Sequence, residues 1–301
     1  MAMLIPARLA RSETLAARLL RGLLSSPKAT IAALVCMVLI VASLLAPWIA
    51  PQNPYDLGAI DFFDSRLPPG SQSMSGMTYW LGTDVQGRDM LSAMLYGLRT
   101  SLFVGVTAGV LALVVGTLLG LIAAYARGWI DTLIMRFVDM MLSLPTILVA
   151  LMIMVIFGQG TWKVIAALIF VQWAYFARAV RGAALVETGK DYVEAARCLG
   201  LSSGRILIHH ILPNCLPQLI VIATIQVAHA IGAEATLSFL GIGLPITKPS
   251  LGLLIANGYQ VLLAGLYWMS VYPGLLLLVL VFSINIVGDR LREALNPRLA
   301  Q

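Results

Sequence analysis

Long apolar runs alternate with shorter polar stretches along the chain, and the length of the runs predicts helices that cross a membrane. A bilayer core about 30 Å thick requires roughly 20 apolar residues in a helix. Strand-type alternation is absent, so helices are expected to satisfy the backbone hydrogen bonds. The pattern predicts an all-α polytopic membrane protein with six spans, at residues 30–49, 100–125, 133–157, 164–186, 212–240 and 269–288.

Composition supports this prediction and limits the classes of function. Hydrophobic residues make up 59% of the chain and charged residues only 11%, which excludes an ordinary soluble domain. The net charge is +6, but the basic residues are scattered among apolar spans, so the lipid bilayer is the expected partner and nucleic acid is not. Cys36, Cys198 and Cys215 lack metal-ligand spacing, and no bound metal is expected.

The distribution of Lys and Arg predicts the orientation of the spans. An even number of spans places both termini on one side, and 15 of the 20 basic residues lie on that side. Because cytoplasmic loops carry an excess of basic residues, both termini are expected in the cytoplasm. The five basic residues on the opposite side are Arg66, Arg88, Arg99, Lys163 and Lys248.

The spans divide the chain into five expected parts. These are a cytoplasmic amphipathic segment at residues 1–28, the first transmembrane helix at 29–50, an outer loop at 51–98, a five-helix core at 99–289 and a cytoplasmic tail at 290–301. Leucines interleaved with Arg18 and Arg21 favour a surface helix in the first part, although a disordered basic tail fits the charge pattern too. Residues 88–98 are predicted to form a short surface helix.

A polar stretch, EAARCLGLSSGRILIHHILPN, follows the fourth span and is predicted to face the cytoplasm. Helix formers precede Gly200, which suits the left-handed turn that ends a helix. Ser202 or Ser203 is expected to cap a second short helix. Small alanines at 195 and 196 on its exposed part, beside the charge of Glu194, suit close approach by another protein. From these residues alone, a docking surface and a plain surface connector are equally supported.

Several motifs resemble the ABC importer permeases of the dipeptide/oligopeptide (peptide/nickel) family. Glu194, Ala195, Ala196, Gly200 and the Leu212-Pro213 pair have the spacing of that family's EAA loop, with His210 where the pattern has Ile. LGTDVQGRDMLSAMLYGLRTSL, MRFVDMMLSLPTILVAL, ATLSFLGIGLP and GDRLREALNPRL resemble other segments of the same family. The resemblance covers nearly the whole chain beyond the N-terminal tail.

The resemblance implies a type I ABC importer permease fold in the bacterial cytoplasmic membrane. It implies a homologous second permease subunit, two ABC ATPase subunits that bind ATP and magnesium, and an extracytoplasmic substrate-binding protein. The implied cargo is dipeptides or oligopeptides, with nickel chelates, glutathione or another peptide-like solute as alternatives. The loop at residues 187–213 would be the coupling helix that contacts an ATPase, through Asp191, Tyr192, Glu194, Ala195, Ala196, Arg197, Gly200 and Leu201.

Ionisable residues inside spans are expensive and therefore of functional interest. Arg136 and Asp139 lie three residues apart and are predicted to form a structural ion pair, with a part in an inner gate as the alternative. Pro145 and Pro273 are expected to kink their helices. Small-xxx-small spacing at Gly105, Gly109, Gly116 and Gly120 predicts close helix contact in span two.

Two other classes of function remain open from the residues. An ion-coupled secondary transporter or channel would operate without ATPases, but acids are scarce within the spans and paired broken helices are absent. An intramembrane enzyme would need a catalytic constellation, which the sequence lacks. No phosphate-binding P-loop sequence occurs, so the chain is expected to be no enzyme, with ATP hydrolysis left to partner subunits.

Overall fold

The computed structural model describes residues 15–56, 58, 60–73 and 76–295, and this part of the chain is mainly helical. The helices are α1 Leu15–Leu24, α2 Pro27–Ile49, α3 Met90–Ala126, α4 Gly128–Ser143, α5 Thr146–Phe157, α6 Thr161–Thr188, α7 Asp191–Cys198, α8 Ser203–Ile206, α9 Leu212–Phe239, α10 Leu251–Gln260 and α11 Trp268–Leu295. A π-helical turn at Leu207–Ile211 joins α8 to α9. Two short antiparallel strands, β1 Ser71–Gln72 and β2 Thr78–Tyr79, pair in the outer segment.

Five of the six predicted spans are single helices within the described residues. Helices α2, α3, α6 and α11 and the continuous run from α8 through α9 are each long and apolar enough to cross a membrane. The predicted third span is instead the pair α4 and α5, which counts as a sixth span only when the two helices are taken together. They meet at 91°, at the break that contains Pro145, and α5 with its 12 residues reaches only about 18 Å.

Helix α3 lies at the centre of the bundle because its glycines let two neighbours approach closely. A Cβ atom on Gly116 would lie 2.5 Å from the carbonyl oxygen of Trp173, and one on Gly120 would lie 2.6 Å from that of Ala177. These two glycines therefore seat α3 against the backbone of α6. Gly105 and Gly109 face side chains of α9 in the same way. The predicted close helix contacts are confirmed.

The outer segment, residues 51–89, is held together by buried polar groups. Asp84 accepts hydrogen bonds from the backbone N–H groups of Gln86 and Arg88, at 2.8 and 3.0 Å. Its carboxylate also pairs with the Arg88 guanidinium at 2.6 Å, and both side chains are almost fully buried. Asp64 accepts hydrogen bonds from Ser73 and Tyr79 at 2.5 and 2.9 Å. Burial and the neighbouring Asp64 raise the pKa of Tyr79.

The predicted helix at residues 88–98 is confirmed for residues 90–98, but it is not a short separate surface helix. Helix α3 begins at Met90 and continues without a break to Ala126, so residues 90–98 are its first turns rather than a part of the outer loop. Asp89 caps this helix by accepting hydrogen bonds from the N–H and hydroxyl of Ser92, at 2.8 and 2.6 Å. The apolar side chains of Met90 and Leu98 are buried. Hydropathy alone did not predict that these turns belong to the long helix, because they mix polar with apolar residues.

Helix α10 lies between spans five and six and was not predicted, because its 10 residues are too few to cross a bilayer. A buried carboxylate near the outer end of α9 helps to position it. Glu234 accepts hydrogen bonds from Ser101 of α3 and Ser238 of α9, at 2.8 and 2.7 Å. The Ser101 hydroxyl in turn accepts the N–H of Leu251, the first residue of α10, at 3.4 Å. This network ties α3, α9 and α10 together.

The N-terminal segment is helical where it is described. Helix α1 packs against the end of α11, where Arg290 donates hydrogen bonds to the carbonyl of Gly22 and the hydroxyl of Ser25, at 3.1 and 2.6 Å. Leu20 and Leu24 are exposed on this helix. The predicted helix is therefore found at residues 15–24, whereas residues 1–14 and the second half of the predicted tail, residues 296–301, lie outside the described residues.

Candidate functional site

The segment between spans four and five, residues 187–213, is called here the coupling segment, and its first helix ends as predicted. Gly200 has a φ of +72°, in the left-handed region that favours glycine. The N–H of Gly200 bonds to the carbonyl of Arg197 at 2.9 Å, and that of Leu201 bonds to Ala196 at 3.2 Å. This pair of bonds is the Schellman ending. It ends α7 and reverses the chain, with Leu199 as the C-cap residue of the helix.

One face of α7 is anchored in the protein. Val193 is fully buried and Ala196 is 4% exposed. Both belong to an apolar cluster whose other members come from α3, α6 and the region from α8 to α9: Leu121, Ala124, Val180, Ala184, Ile206, Ile211, Cys215 and Leu219. The expectation that Ala195 and Ala196 are both exposed is thus wrong for Ala196. Adjacent helix positions point about 100° apart, so only Ala195 faces outward.

The opposite face of α7 presents an exposed surface of mixed chemistry. Leu199 is 79% exposed, the largest exposure of an apolar side chain in the coupling segment. Asp191, Glu194 and Arg197 are exposed around it. The guanidinium of Arg197 lies 5.4 Å from the centre of the Tyr125 ring at the end of α3, a cation–π distance. Sequence reasoning did not select Leu199, and no motif in the sequence marks it as exposed.

Tyr192 binds the start of α7 to the ends of two spans. Its hydroxyl donates to Glu187 of α6 at 2.6 Å and accepts from the side-chain amide of Asn214 of α9 at 3.3 Å. Lys190 also pairs with Glu187, at 2.7 Å. Burial and the carboxylate of Glu187 raise the pKa of Tyr192 to about 12. The hydroxyl therefore stays protonated at neutral pH and keeps its donor role.

The second half of the coupling segment is short and irregular. Ser202 occupies the capping position of α8, but its side chain makes no capping hydrogen bond. In the π-helical turn, the N–H of Leu212 bonds to the carbonyl of Leu207, five residues back. Leu201 is partly buried against the same apolar cluster as Val193. The turn thus leads α8 into α9 while the apolar side chains remain inside.

The predicted ion pair between Arg136 and Asp139 does not form. Asp139 pairs instead with Arg178 of α6. In a parallel contact, Arg181 of α6 binds Asp131 of α4 through two hydrogen bonds of 2.5 and 2.6 Å. Side chains three residues apart on one helix are neighbours, which is why Arg136 was expected to pair with Asp139. Because α4 packs on α6, the two acids of α4 pair instead with two arginines of α6. Arg136 forms no ion pair with any described residue.

Among the described residues, no group of three or more His, Cys, Asp or Glu side chains could hold a metal ion. The coupling segment combines a buried apolar base with an exposed leucine and exposed charges of both signs.

Comparison with known proteins gives the family. Residues 116–301 match the model of the family described as binding-protein-dependent transport system inner membrane component. The chain is 42% identical to the dipeptide transport system permease protein DppC of Escherichia coli K12, over 91% of this chain and 90% of that protein. It is 38% identical to the di/tripeptide transport system permease protein DppC of Pseudomonas aeruginosa UCBPP-PA14, over 90% and 89%.

A solved structure shows the same fold. A chain of the MetNI methionine ABC transporter in inward-facing conformations matches with a TM-score of 0.56 at 23% identity, over 69% of this chain and 98% of that one. The spans, the fold and the sequence relatives agree with one another. The chain belongs to the family of inner membrane components of binding-protein-dependent transport systems, and it is a permease subunit of the bacterial inner membrane.

Proposed function

We propose that this permease subunit carries dipeptides or oligopeptides into the cell as part of an ATP-driven importer. Two relatives of high coverage are named for dipeptide and di/tripeptide transport. The family itself is one of binding-protein-dependent systems, which supports an extracytoplasmic binding protein as the donor of cargo. Nickel chelates, glutathione and other peptide-like solutes are the alternative cargoes.

The proposed assembly contains a homologous second permease and two ABC ATPase subunits. ATP and magnesium bind to the ATPases, and this chain performs no hydrolysis. This chain forms one half of the path through the membrane, and it moves when the ATPase subunit that it contacts moves. The proposed contact is the coupling segment, through Asp191, Tyr192, Glu194, Ala195, Arg197 and Gly200 on the exposed side and Ala196 and Leu201 at the base.

The observation that carries this proposal is the division of α7 into an anchored and an exposed face. Leu199 protrudes from a helix whose base is buried against α3, α6 and α9. Because packed interiors resist compression, a displacement of the exposed face moves the base with it. The three spans are then displaced together, rather than the loop alone.

Such a contact suits alternating access. The ATPases bind each other in the presence of ATP and separate after hydrolysis, so the two coupling segments of the permease pair would be drawn together and released. A ligand shifts a two-state equilibrium only through its different affinity for the two states. In this importer, ATP would favour the outward-facing state through the coupling segments.

Two substitutions on the exposed face test the proposal. In a strain lacking the natural permease, Leu199→Asp and Glu194→Arg should each reduce the uptake of a labelled dipeptide by about tenfold or more, because a buried anchor and a charge are lost from the contact. The amount of ATPase that copurifies in mild detergent should fall in parallel. Leu263→Asp is the matched control, since Leu263 is fully exposed on the side opposite the coupling segment.

A pair of substitutions at Gly200 separates backbone shape from side-chain bulk. Gly200→Val should uncouple ATP hydrolysis from uptake, because a β-branched residue is strained at φ +72°, although there is open space around the position. Gly200→Asn should retain coupling, since asparagine tolerates the left-handed region. Normal ATPase copurification and normal uptake in Leu199→Asp, Glu194→Arg and Gly200→Val would contradict the docking role.

A further inference from the structure

A second candidate site lies on the predicted outer side of the membrane, away from the coupling segment. It is a cavity of about 760 Å³ whose walls come from α2 and α3, with contributions from Tyr55, Thr161 and Lys248. Ile40 and Leu44 of α2 face Leu102, Phe103 and Val106 of α3 across it. The cavity is therefore an apolar groove between the first span and the core.

The groove runs down into the membrane from the membrane surface. Arg99 and Val106, which both line it, are seven residues apart on α3, or about 10 Å along the helix axis. Phe103 stacks edge-on against Trp162 with 5.9 Å between ring centres, and Trp162 is 67% exposed. Tryptophan at the end of a span is typical of the membrane–water interface. The charged end of the groove thus lies near the headgroups and the apolar end near the acyl chains.

Positive charge is concentrated at one end of the groove and is not neutralised by the protein. Arg99 and Lys248 are exposed and line the cavity, and neither forms an ion pair with any described residue. None of the described residues that line it is an aspartate or a glutamate. An anionic group placed between these two side chains would be attracted by both cations, and no acidic side chain of the described lining would repel it.

Hydroxyl groups add hydrogen-bonding capacity beside the two cations. The Oγ1 atom of Thr161 is buried and forms no hydrogen bond with any described residue. A buried hydroxyl without a partner is costly, so a ligand that supplies an acceptor would stabilise this position. The hydroxyls of Tyr55 and Thr100 lie 3.4 Å apart on the same wall. The Thr100 hydroxyl already donates to the carbonyl of Tyr96 at 2.9 Å, so the groove offers two cations and the Thr161 hydroxyl above an apolar channel.

We propose that this groove binds an anionic phospholipid of the outer leaflet, with its phosphate at Arg99 and Lys248 and one acyl chain between α2 and α3. A transported peptide fits less well, because no carboxylate lines the groove to receive its ammonium group. An apolar helix of a partner subunit would leave both cations and the Thr161 hydroxyl without partners. The bound lipid joins the first span to the core and supports their contact.

The test uses the complex of this chain with its partner subunits, purified in mild detergent and incubated with phosphatidylglycerol or phosphatidylcholine. Native mass spectrometry then counts the lipids retained by each complex. The double variant Arg99→Gln/Lys248→Gln should retain roughly tenfold less phosphatidylglycerol, with phosphatidylcholine unaffected. Val106→Trp fills the groove without a change of charge and should reduce the retention of both lipids.

Lys163→Gln is the matched control, because it removes an exposed cation from the same side of the membrane but from outside the groove. Unchanged lipid retention in this control supports the site. Equal loss in the control and the double variant would overturn it, as would unchanged retention in the double variant. Displacement of the lipid by a dipeptide, or cross-linking of a Thr107→Cys variant to the second permease through the groove, would also overturn the proposal.

Discussion

The outer segment (residues 51–89) and the coupling segment (residues 187–213) are both polar, yet they place their charged groups in opposite ways. In the outer segment, Asp84 and Arg88 are buried and paired with each other. In the coupling segment the buried positions are apolar, as at Val193, and charges such as Glu194 remain exposed. Buried charges must be satisfied internally and so determine shape, whereas exposed charges stay available to a partner. The comparison separates a segment built around a buried ion pair from one that keeps its charges exposed.

The largest expected effect comes from breaking the buried pair of the outer segment. Arg88→Ala should leave Asp84 as an uncompensated buried charge and reduce the free energy of unfolding by about 3–5 kcal/mol. The measurement is the thermal stability of the detergent-solubilised complex, followed by size-exclusion chromatography. Asp56→Ala, at an exposed acid of the same segment, is the control and should have little effect. If Arg88→Ala and the natural protein had the same melting temperature, the buried pair would not be what holds the outer segment together.

A glycine from each segment provides the next contrast. Gly87 and Gly200 both have positive φ, but a Cβ atom on Gly87 would collide with the carbonyl oxygen of Asp61, whereas Gly200 faces open space. Gly87→Ala should therefore cost about 3 kcal/mol, from backbone strain and overpacking combined. Gly200→Ala should cost about 1 kcal/mol, from strain alone. Similar melting temperatures for the two variants would contradict this distinction.

Within α7, the anchored and exposed faces should respond differently to truncation. Val193→Ala should reduce the free energy of unfolding by about 2 kcal/mol, because it leaves a cavity in the apolar cluster. Leu199→Ala should change stability by less than about 0.5 kcal/mol while still reducing uptake. Measuring thermal stability and dipeptide uptake on the same preparations tests both parts. A loss of stability in Leu199→Ala would place Leu199 in the fold rather than in the contact.

The smallest expected effect concerns the hydroxyl of Tyr192. Its pKa is raised from 10.0 to about 12 by burial and by Glu187, so the folded state favours the protonated phenol. This contribution to stability is complete below pH 10 and is lost as the pH rises toward about 12. Absorbance titration of the phenolate should show a late-titrating tyrosine that disappears in Tyr192→Phe. In Glu187→Gln, this tyrosine should titrate closer to pH 10; an unchanged value would contradict the role of Glu187.

Local patterns predicted several features of the fold correctly because each depends on a few neighbouring residues. The left-handed turn at Gly200 follows from the absence of a Cβ, and the break at Pro145 follows from a missing backbone donor. The motif selected residues 187–213 as the proposed contact, but the burial of the residues in this segment was only partly predicted. Which of Ala195 and Ala196 faces inward depends on how α7 is rotated against α3 and α6, and no local pattern contains that angle.

By itself, the sequence determined the membrane class, the positions of the spans and the polar segment between spans four and five, because an apolar run of sufficient length enters the bilayer wherever it occurs. Tertiary structure decided the partner of Asp139, the continuation of α3 above the membrane and the place of α10. It also decided that Leu199 protrudes while Val193 anchors. These features depend on which helices become neighbours, and helix contacts in a membrane are set by shape and hydrogen bonding rather than by hydropathy.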